Sequence, residues 1–296
     1  HLSKSYYDLL ASEARQASYI AIARNEVDRR HWVRLGRKLT TTDGYKGLVS
    51  WTGTMFEYLM PLLIMKNYEN TIFDETYTFV VRAQKKHGKQ HRVPWGFSES
   101  GFSAFDFNLN YQYKAFGVPE LGLKRGLAND IVTTPYSSML ALGIDPVSAV
   151  SNLKELKQLG MDSRWGFYEA IDFTPSRLDK NTNSRIVKSF MAHHQGMSLA
   201  ALNNFFNDNI LQQRFHNIPV IKSAELLLQE KIPEKALYAK EYKDESAVIF
   251  RKNEQSEGEA IRTFGVPATL PPKAHILSNG SYCVMLTDGG SGYSRD

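Results

Sequence analysis

The segment DPVSAVSNLKELKQLG at positions 145–160, with Trp165-Gly166-Phe167-Tyr168-Glu169 behind it, sets the pattern of the chain. Asp145 and Pro146 are a cap and a first-turn residue, and Gly160 is a stop, so the spacing predicts a helix that ends in a loop. The pentad Trp-Gly-Phe-x-Glu also occurs earlier, as Trp95-Gly96-Phe97-Ser98-Glu99, again behind a long helical pattern. Helices in pairs, separated by loops that carry the unusual residues, predict a mostly α fold of the helical-toroid kind rather than an alternating β/α fold.

The rest of the chain extends this pattern. Between 6 and 24 the apolar positions Tyr6, Leu9, Leu10, Ala14, Ala17, Ile20 and Ala23 recur at helical steps, with Ser5 or Asp8 at the first turn. Further helices are expected at 54–66, kinked at Pro61, and at 71–87, stopped by Gly88. Others are expected at 124–133, 135–142, 188–204, 209–216 and 223–231. Beyond Lys240 the texture changes to β-like runs at 246–250 and 281–287 among Gly and Pro. The expected division is a helical domain at 1–233 and a linker with a β-rich stub at 234–296.

Each pentad sets a carboxylate two residues after a Gly-Phe pair, beside Trp and Tyr rings. Cleavage of a glycosidic bond uses two carboxyl groups, one to protonate the leaving oxygen and one to attack or to activate water. Aromatic faces suit the C–H side of a sugar. Glu99 and Glu169 are therefore the candidate catalytic pair, with Trp95, Trp165 and Tyr168 supplying desolvation. The plain alternative is that both Glu cap helices and both Trp fill a core. Asp106 and Asp172, close to the pentads in sequence, are the understudies of this pair, with the holding of a sugar hydroxyl as the more common duty of such an Asp.

His193 and His194 are adjacent, so on a helix they point about 100° apart and cannot readily share an ion. They are expected, with Gln195, to line a pocket, and no metal or cofactor is expected. Tyr111 and Tyr113 alternate around Gln112, as a strand face or a pocket wall. Trp51 and Glu57 form a third aromatic and acidic pair, although an ion pair between Glu57 and Arg125 explains Glu57 equally well. Neither a phosphate-binding Gly-Lys-Ser/Thr loop nor a Gly-x-Ser-x-Gly nucleophile motif is present.

With 296 residues and 42% hydrophobic content, the chain can bury a large core. The net charge is +5, but the basic residues are scattered, apart from clusters at 34–38 and 85–92 that suit a solvated face, so no nucleic-acid partner is expected. Cys283 is the only cysteine, which excludes an internal disulfide and fits a cytoplasmic setting. The apolar run at 58–65 is too short to span a bilayer, and no direct membrane insertion is expected.

The motifs at 5–15 (SYYDLLASEAR), 51–61, 93–100, 111–125, 166–177 and 191–198 (MAHHQGMS) resemble the glycoamylase-like domain of cyclic β-1,2-glucan synthases, a likeness that runs from about 5 to 231. The resemblance implies an (α/α)6 toroid that cleaves linear β-1,2-glucan and closes it into a ring by retaining transglycosylation. Carried over, it implies Glu99 as nucleophile and Glu169 as acid/base, with Trp51, Tyr111, Tyr113, Lys114, Asp172, His193, His194 and Gln195 along the glucan cleft. Residues 274–282 and 289–295 resemble the opening of a phosphorylase-type β-sandwich, so the chain is expected to be part of a larger multidomain synthase at the inner-membrane face. The ring is expected to lack helices upstream of Ser5. The alternative expectation is a non-catalytic glucan-binding or structural fragment of such an enzyme.

Overall fold

The computed structural model describes residues 7–232, 274–278, 282–287 and 291–295. The β-like run expected at 246–250, and Ser5 and Tyr6 of the first expected helix, lie outside them. The chain divides into two units, His1–Glu245 and Ser246–Asp296.

The first unit is mostly helical. Helix α1 (Arg15–Ala23) is shorter than the 6–24 pattern predicts. Leu9, Leu10 and Ala11 are apolar because they are buried, not because they continue the helix. Their segment pairs with the chain after α2 (Arg30–Arg34), where Leu10 N donates to Gly36 O and Gly36 N to Asp8 O. Arg15 is buried and donates to the carbonyls of Ser12, Glu57 and Tyr58, which ties α1 to the helix at Met55–Leu59.

Strands β1 (Leu39–Thr42) and β2 (Tyr45–Leu48) form a hairpin whose turn is Asp43-Gly44, both at positive φ, as a two-residue hairpin turn requires. Helix α3 (Met55–Leu59) is opened by a capping box in which Thr54 and Glu57 bond reciprocally. Pro61 does more than kink it: the α-helix stops, and a 3-10 turn, Pro61–Leu63, follows. Helix α4 (Ile72–His91) is capped by Thr71 and runs through Gly88, the expected stop. Gly88 is there for contact rather than termination, since a Cβ would come within 2.9 Å of Val93 O and 3.1 Å of Trp95 Cα. Arg92, at φ 58°, ends the helix instead.

The first pentad runs through an irregular segment at 95–98 and ends in Glu99, which begins β3 (Glu99–Phe105), a strand that pairs through a bulge with β4 (Tyr111–Ala115). The helix expected at 124–133 is only a 3-10 turn, Leu127–Asn129, followed by β5 (Val132–Thr133). Helices α5 (Pro135–Leu140) and α6 (Pro146–Gln158) follow, each with proline at its start. A small hairpin, β6 (Asp162–Ser163) and β7 (Gly166–Phe167), carries the second pentad. Strands β8 (Ala170–Asp172) and β9 (Arg185–Val187) join β5 in an antiparallel sheet ordered β5-β8-β9. Helices α7 (Ala192–Phe206), α8 (Ile210–His216) and α9 (Pro219–Lys222) complete the unit, and 223–231 holds a 3-10 turn, Glu225–Gln229, rather than an α-helix. In the second unit, β10 (Ala274–Ser278), β11 (Cys283–Thr287) and β12 (Gly292–Arg295) form an antiparallel sheet in that order.

The first pentad is held residue by residue. Asn152 of α6 accepts from Trp95 N at 3.0 Å and donates to Trp95 O at 2.7 Å. Gln84 of α4 does the same for Phe97, with distances of 2.7 and 2.9 Å. Thr134 N donates to Gly96 O, and Gly96 at φ 118° lies so close to Thr134 that a Cβ would approach its carbonyl to 3.0 Å. Ser98 Oγ accepts from Phe56 N and from the Tyr136 hydroxyl. Two amide side chains thus replace a neighbouring strand for a buried segment whose backbone groups need partners. Gln84→Ala leaves Phe97 N unpaired and Phe97 O with only the Met55 N–H, and is expected to lower stability by about 1–3 kcal/mol, read by urea denaturation. A loss under about 0.5 kcal/mol would show that the bracket is dispensable.

Candidate active site

Glu99 stands where β3 leaves the bracketed pentad, with its side chain half-buried. Burial first, then the nearby Glu57 and Glu13 carboxylates, push its carboxyl up to about 7. A hydrogen bond from the Tyr113 hydroxyl and the charge of Lys124 oppose this rise. Tyr113, across the hairpin on β4, is held well above the ordinary tyrosine value by burial and by Glu99, so it keeps its proton and donates.

Glu57 is a structural carboxylate. It is buried and accepts from Ser50 Oγ, Thr52 N, Thr54 N and Thr54 Oγ1, and the Arg125 ion pair weighed from sequence is not formed. Glu13 is half-buried and accepts from Ser12 Oγ at 3.2 Å. The Tyr7 hydroxyl is raised chiefly by Glu13, with smaller effects of burial, Glu57 and Glu99, so these four residues share one neighbourhood.

Glu169 opens the other side of the cluster. It is 2% exposed, its backbone N donates to Ser189 O, and its Oε1 lies 2.8 Å from His194 Nδ1 and accepts from Gly101 N at 3.3 Å. His194 Nε2 is 3.4 Å from the Tyr113 hydroxyl, which completes a line of contacts from Glu169 through His194 and Tyr113 to Glu99. The Tyr136 ring stacks on His194 at 4.0 Å and 14°, and its one hydroxyl hydrogen is shared between Ser98 Oγ at 2.7 Å and Glu99 O at 2.9 Å. His193 lies against His194 with ring centres 4.0 Å apart, and burial followed by the His194 charge lowers its pKa.

The two pentads therefore differ in build. Trp95 is buried in the main core, whereas Trp165 is 70% exposed at the tip of the β6–β7 hairpin, with the Arg164 guanidinium 4.2 Å over its ring. Tyr168 packs on Phe190, and Gln195 donates to Phe167 O at 3.4 Å. Trp51 is half-buried, and its carbonyl accepts from the backbone N of Lys124, the residue whose charge reaches Glu99.

Five sequence candidates stand apart from this cluster, each for a physical reason. Trp95 belongs to the core. Asp106 is exposed at the β3–β4 turn, where its carboxylate accepts from Asn108 N and Asn110 N. Asp172 is fully buried and spent on Ser103 N, Thr174 N and the Arg177 guanidinium. Lys114 pairs with Asp130, which Arg177 also binds. Tyr111 packs against Phe105, 4.6 Å between ring centres, and against the small core beneath the hairpin. Sequence reasoning missed Tyr7, Glu13 and Tyr136. Glu13 stands within the SYYDLLASEAR motif at 5–15, while Tyr136 carries no local signal beyond the preceding proline.

A mostly helical body with short antiparallel inserts, enclosing a half-buried glutamic acid among tyrosine and histidine rings, is a domain of glycoamylase-like fold. Residues 5–219 match the family model described as putative glucoamylase, and the chain belongs to that Glycoamylase family. It is 43% identical over 99% of its length to the cyclic β-(1,2)-glucan synthase NdvB of Rhizobium meliloti (strain 1021), of which it spans about a tenth (10%). Its fold is similar to an endo-β-1,2-glucanase from Chitinophaga pinensis, with a TM-score of 0.55, 14% identity, and 76% of this chain matched to 54% of that one. A protein from Bacteroides fragilis NCTC 9343 described as a putative glucoamylase matches at 0.54 and 15% identity, over 78% and 55% of the two chains. Among the described residues no helix is long and apolar enough to cross a membrane.

The raised Glu99 carboxyl has a sign that can be checked. The folded protein keeps this proton between about 4.5 and 7, where the unfolded chain releases it, so Glu99 makes stability fall as pH rises through that window. Glu99→Gln is expected to flatten the fall, measured as denaturation midpoints against pH, and parallel curves for the two proteins would contradict the assignment.

Proposed function

We infer that the chain cleaves or transfers β-1,2-linked glucan, with Glu99 as the group that protonates the departing glycosidic oxygen. The observation that carries this reading is the placement of the Glu99 carboxyl, half-buried in one cluster with Tyr113, His194 and Tyr136 and near Glu57 and Glu13, which pushes its pKa up to about 7. A general acid needs a pKa close to the working pH, and a free carboxylate at 4.5 would be a poor proton donor. The acid role thus passes to Glu99 from Glu169, which the resemblance had favoured for it. The substrate class rests on the relatives, a cyclic β-(1,2)-glucan synthase and an endo-β-1,2-glucanase.

Two carboxylates can answer Glu99 as nucleophile or base. Glu169 is joined to it through His194 and Tyr113, and Glu13 is near enough for its charge to raise the Glu99 pKa. Glu13 is the less buried of the two, which favours it for contact with a reacting sugar carbon. Tyr113 and His194 orient the acid, and Trp51 and His193 flank the glucan. In this proposal residues 1–233 are part of an (α/α)6 ring and 234–296 lead into a β-sandwich of a larger, cytoplasmic synthase.

Linear β-1,2-glucan incubated with the chain and with Glu13→Gln, Glu99→Gln and Glu169→Gln tests the assignment. Glu99→Gln is expected to lose on the order of 10²–10⁴ in kcat, and the parent activity to fall as pH rises through about 7. Wild-type turnover by Glu99→Gln would remove the acid role. A comparable loss in Glu13→Gln, with activity kept in Glu169→Gln, would identify the partner as Glu13, and the reverse pattern as Glu169.

A further inference from the structure

We propose that a pocket between the β6–β7 hairpin and α7, which borders the candidate active site through Glu169, His194 and Tyr136 but is not lined by Glu99, is a binding site for a single hexose unit. Glu169, Trp165, Tyr168, Gln195, Ser198 and Leu199 are among the residues that line it, and Glu99 is not. Its volume is about 220 Å³, below the roughly 300–1,000 Å³ of drug-sized pockets, so it suits one sugar ring rather than a chain.

Its polar groups are built to accept. Glu169 is 2% exposed, and its Oε2, the oxygen turned away from His194, is buried with no hydrogen-bond partner. A buried carboxylate oxygen left in this state is costly, and a ligand hydroxyl donating to it would restore the balance. Gln195 directs its Nε2 to Phe167 O, which leaves its Oε1 as an acceptor near the hairpin, about 4.0 Å from where a Cβ on Gly166 would stand. Ser198 Oγ gives its hydrogen to His194 O and keeps its lone pairs. Trp165, steadied by Arg164 over its ring, supplies a flat apolar surface. Acceptors and an indole along one pocket match the hydroxyls and the C–H face of a pyranose.

The same geometry couples the pocket to the acid. A hydroxyl on Glu169 Oε2 withdraws charge from the carboxylate whose other oxygen holds His194, and His194 in turn contacts Tyr113, the donor to Glu99. The identity of the sugar as glucose rests on the proposed glucan activity, while the existence of the pocket does not.

Glucose and the β-1,2-linked disaccharide of glucose are titrated into Glu99→Gln, which binds without turnover, and the intrinsic tryptophan emission is followed. Trp32 and Trp95 are buried, and Trp51, half-buried beside the proposed glucan cleft, is replaced by Phe in every variant, so the exposed Trp165 is expected to dominate the response. Saturable quenching by glucose is expected, with affinity at least about tenfold weaker in Glu99→Gln carrying Gln195→Ala and the response lost with Trp165→Phe. Circular dichroism and thermal midpoints equal to the parent's show that these variants fold. Undiminished affinity in the Gln195→Ala variant, or a response that survives Trp165→Phe, would overturn the site. Tighter binding of cyclohexylammonium than of glucose would overturn the sugar in favour of a cation. Because free glucose needs no glycosidic chemistry, a failure here leaves glucan cleavage standing, and a chain inactive on glucan still tests the pocket.

Discussion

Gln84 and Asn152 each reach across from a helix and close two hydrogen bonds on the backbone of one pentad residue, and the site depends on that pair of clamps. An extended segment passing through a helical core has no neighbouring strand to satisfy its amides, and every unpaired group would cost about 1–3 kcal/mol. The two amide side chains act as that missing strand. With Thr134 on Gly96 and Tyr136 on Ser98, they fix the pentad at four successive residues, so Glu99 emerges in one place and one direction.

Position then determines the electrostatics of Glu99. It is set beside Glu57, which is buried and saturated by hydroxyl and amide donors and therefore remains a fixed feature of the fold. Glu13 adds a second carboxylate to its surroundings. Burial and these neighbours favour the neutral form of Glu99, and the Tyr113 hydrogen bond only moderates them. On the opposite side, His194 is shared between Glu169 and Tyr113 and is stacked by Tyr136, so the ring that links the two carboxylates has little freedom to turn. Rigid orientation of this kind is what proton transfer to a positioned substrate demands.

Much of the helical fold could be read from the chain. Thr71, Asp145 and the prolines at 135 and 146 mark starts by mechanisms that act within a few residues, and those helices stand where they were expected. Two misreadings share one cause. Leu9 and Leu10 fit a helical period yet belong to a segment that pairs with Gly36, and Gly88 has the look of a stop yet serves as a contact. In each the deciding partner lies outside the local window that periodicity and propensity register. The site was legible in the same measure. Glu99, Tyr113, Glu169 and the histidines come together, but repetition of the pentad suggested two equivalent loops, and the structure makes one a core element and the other an exposed hairpin. Lys114, Asp172 and Asp106 were chemically plausible sugar ligands until their ion pairs and turn bonds could be seen.

The central claim is that the fold raises one carboxyl until about half of it stays protonated at neutral pH. Its direct measurement is the titration of the Glu99 carboxyl carbon by NMR in chain labelled with ¹³C at glutamate, assigned by its disappearance in Glu99→Gln. A midpoint near 7 is the result the account predicts, and a midpoint near 4.5, the value of a solvated glutamate, would contradict it.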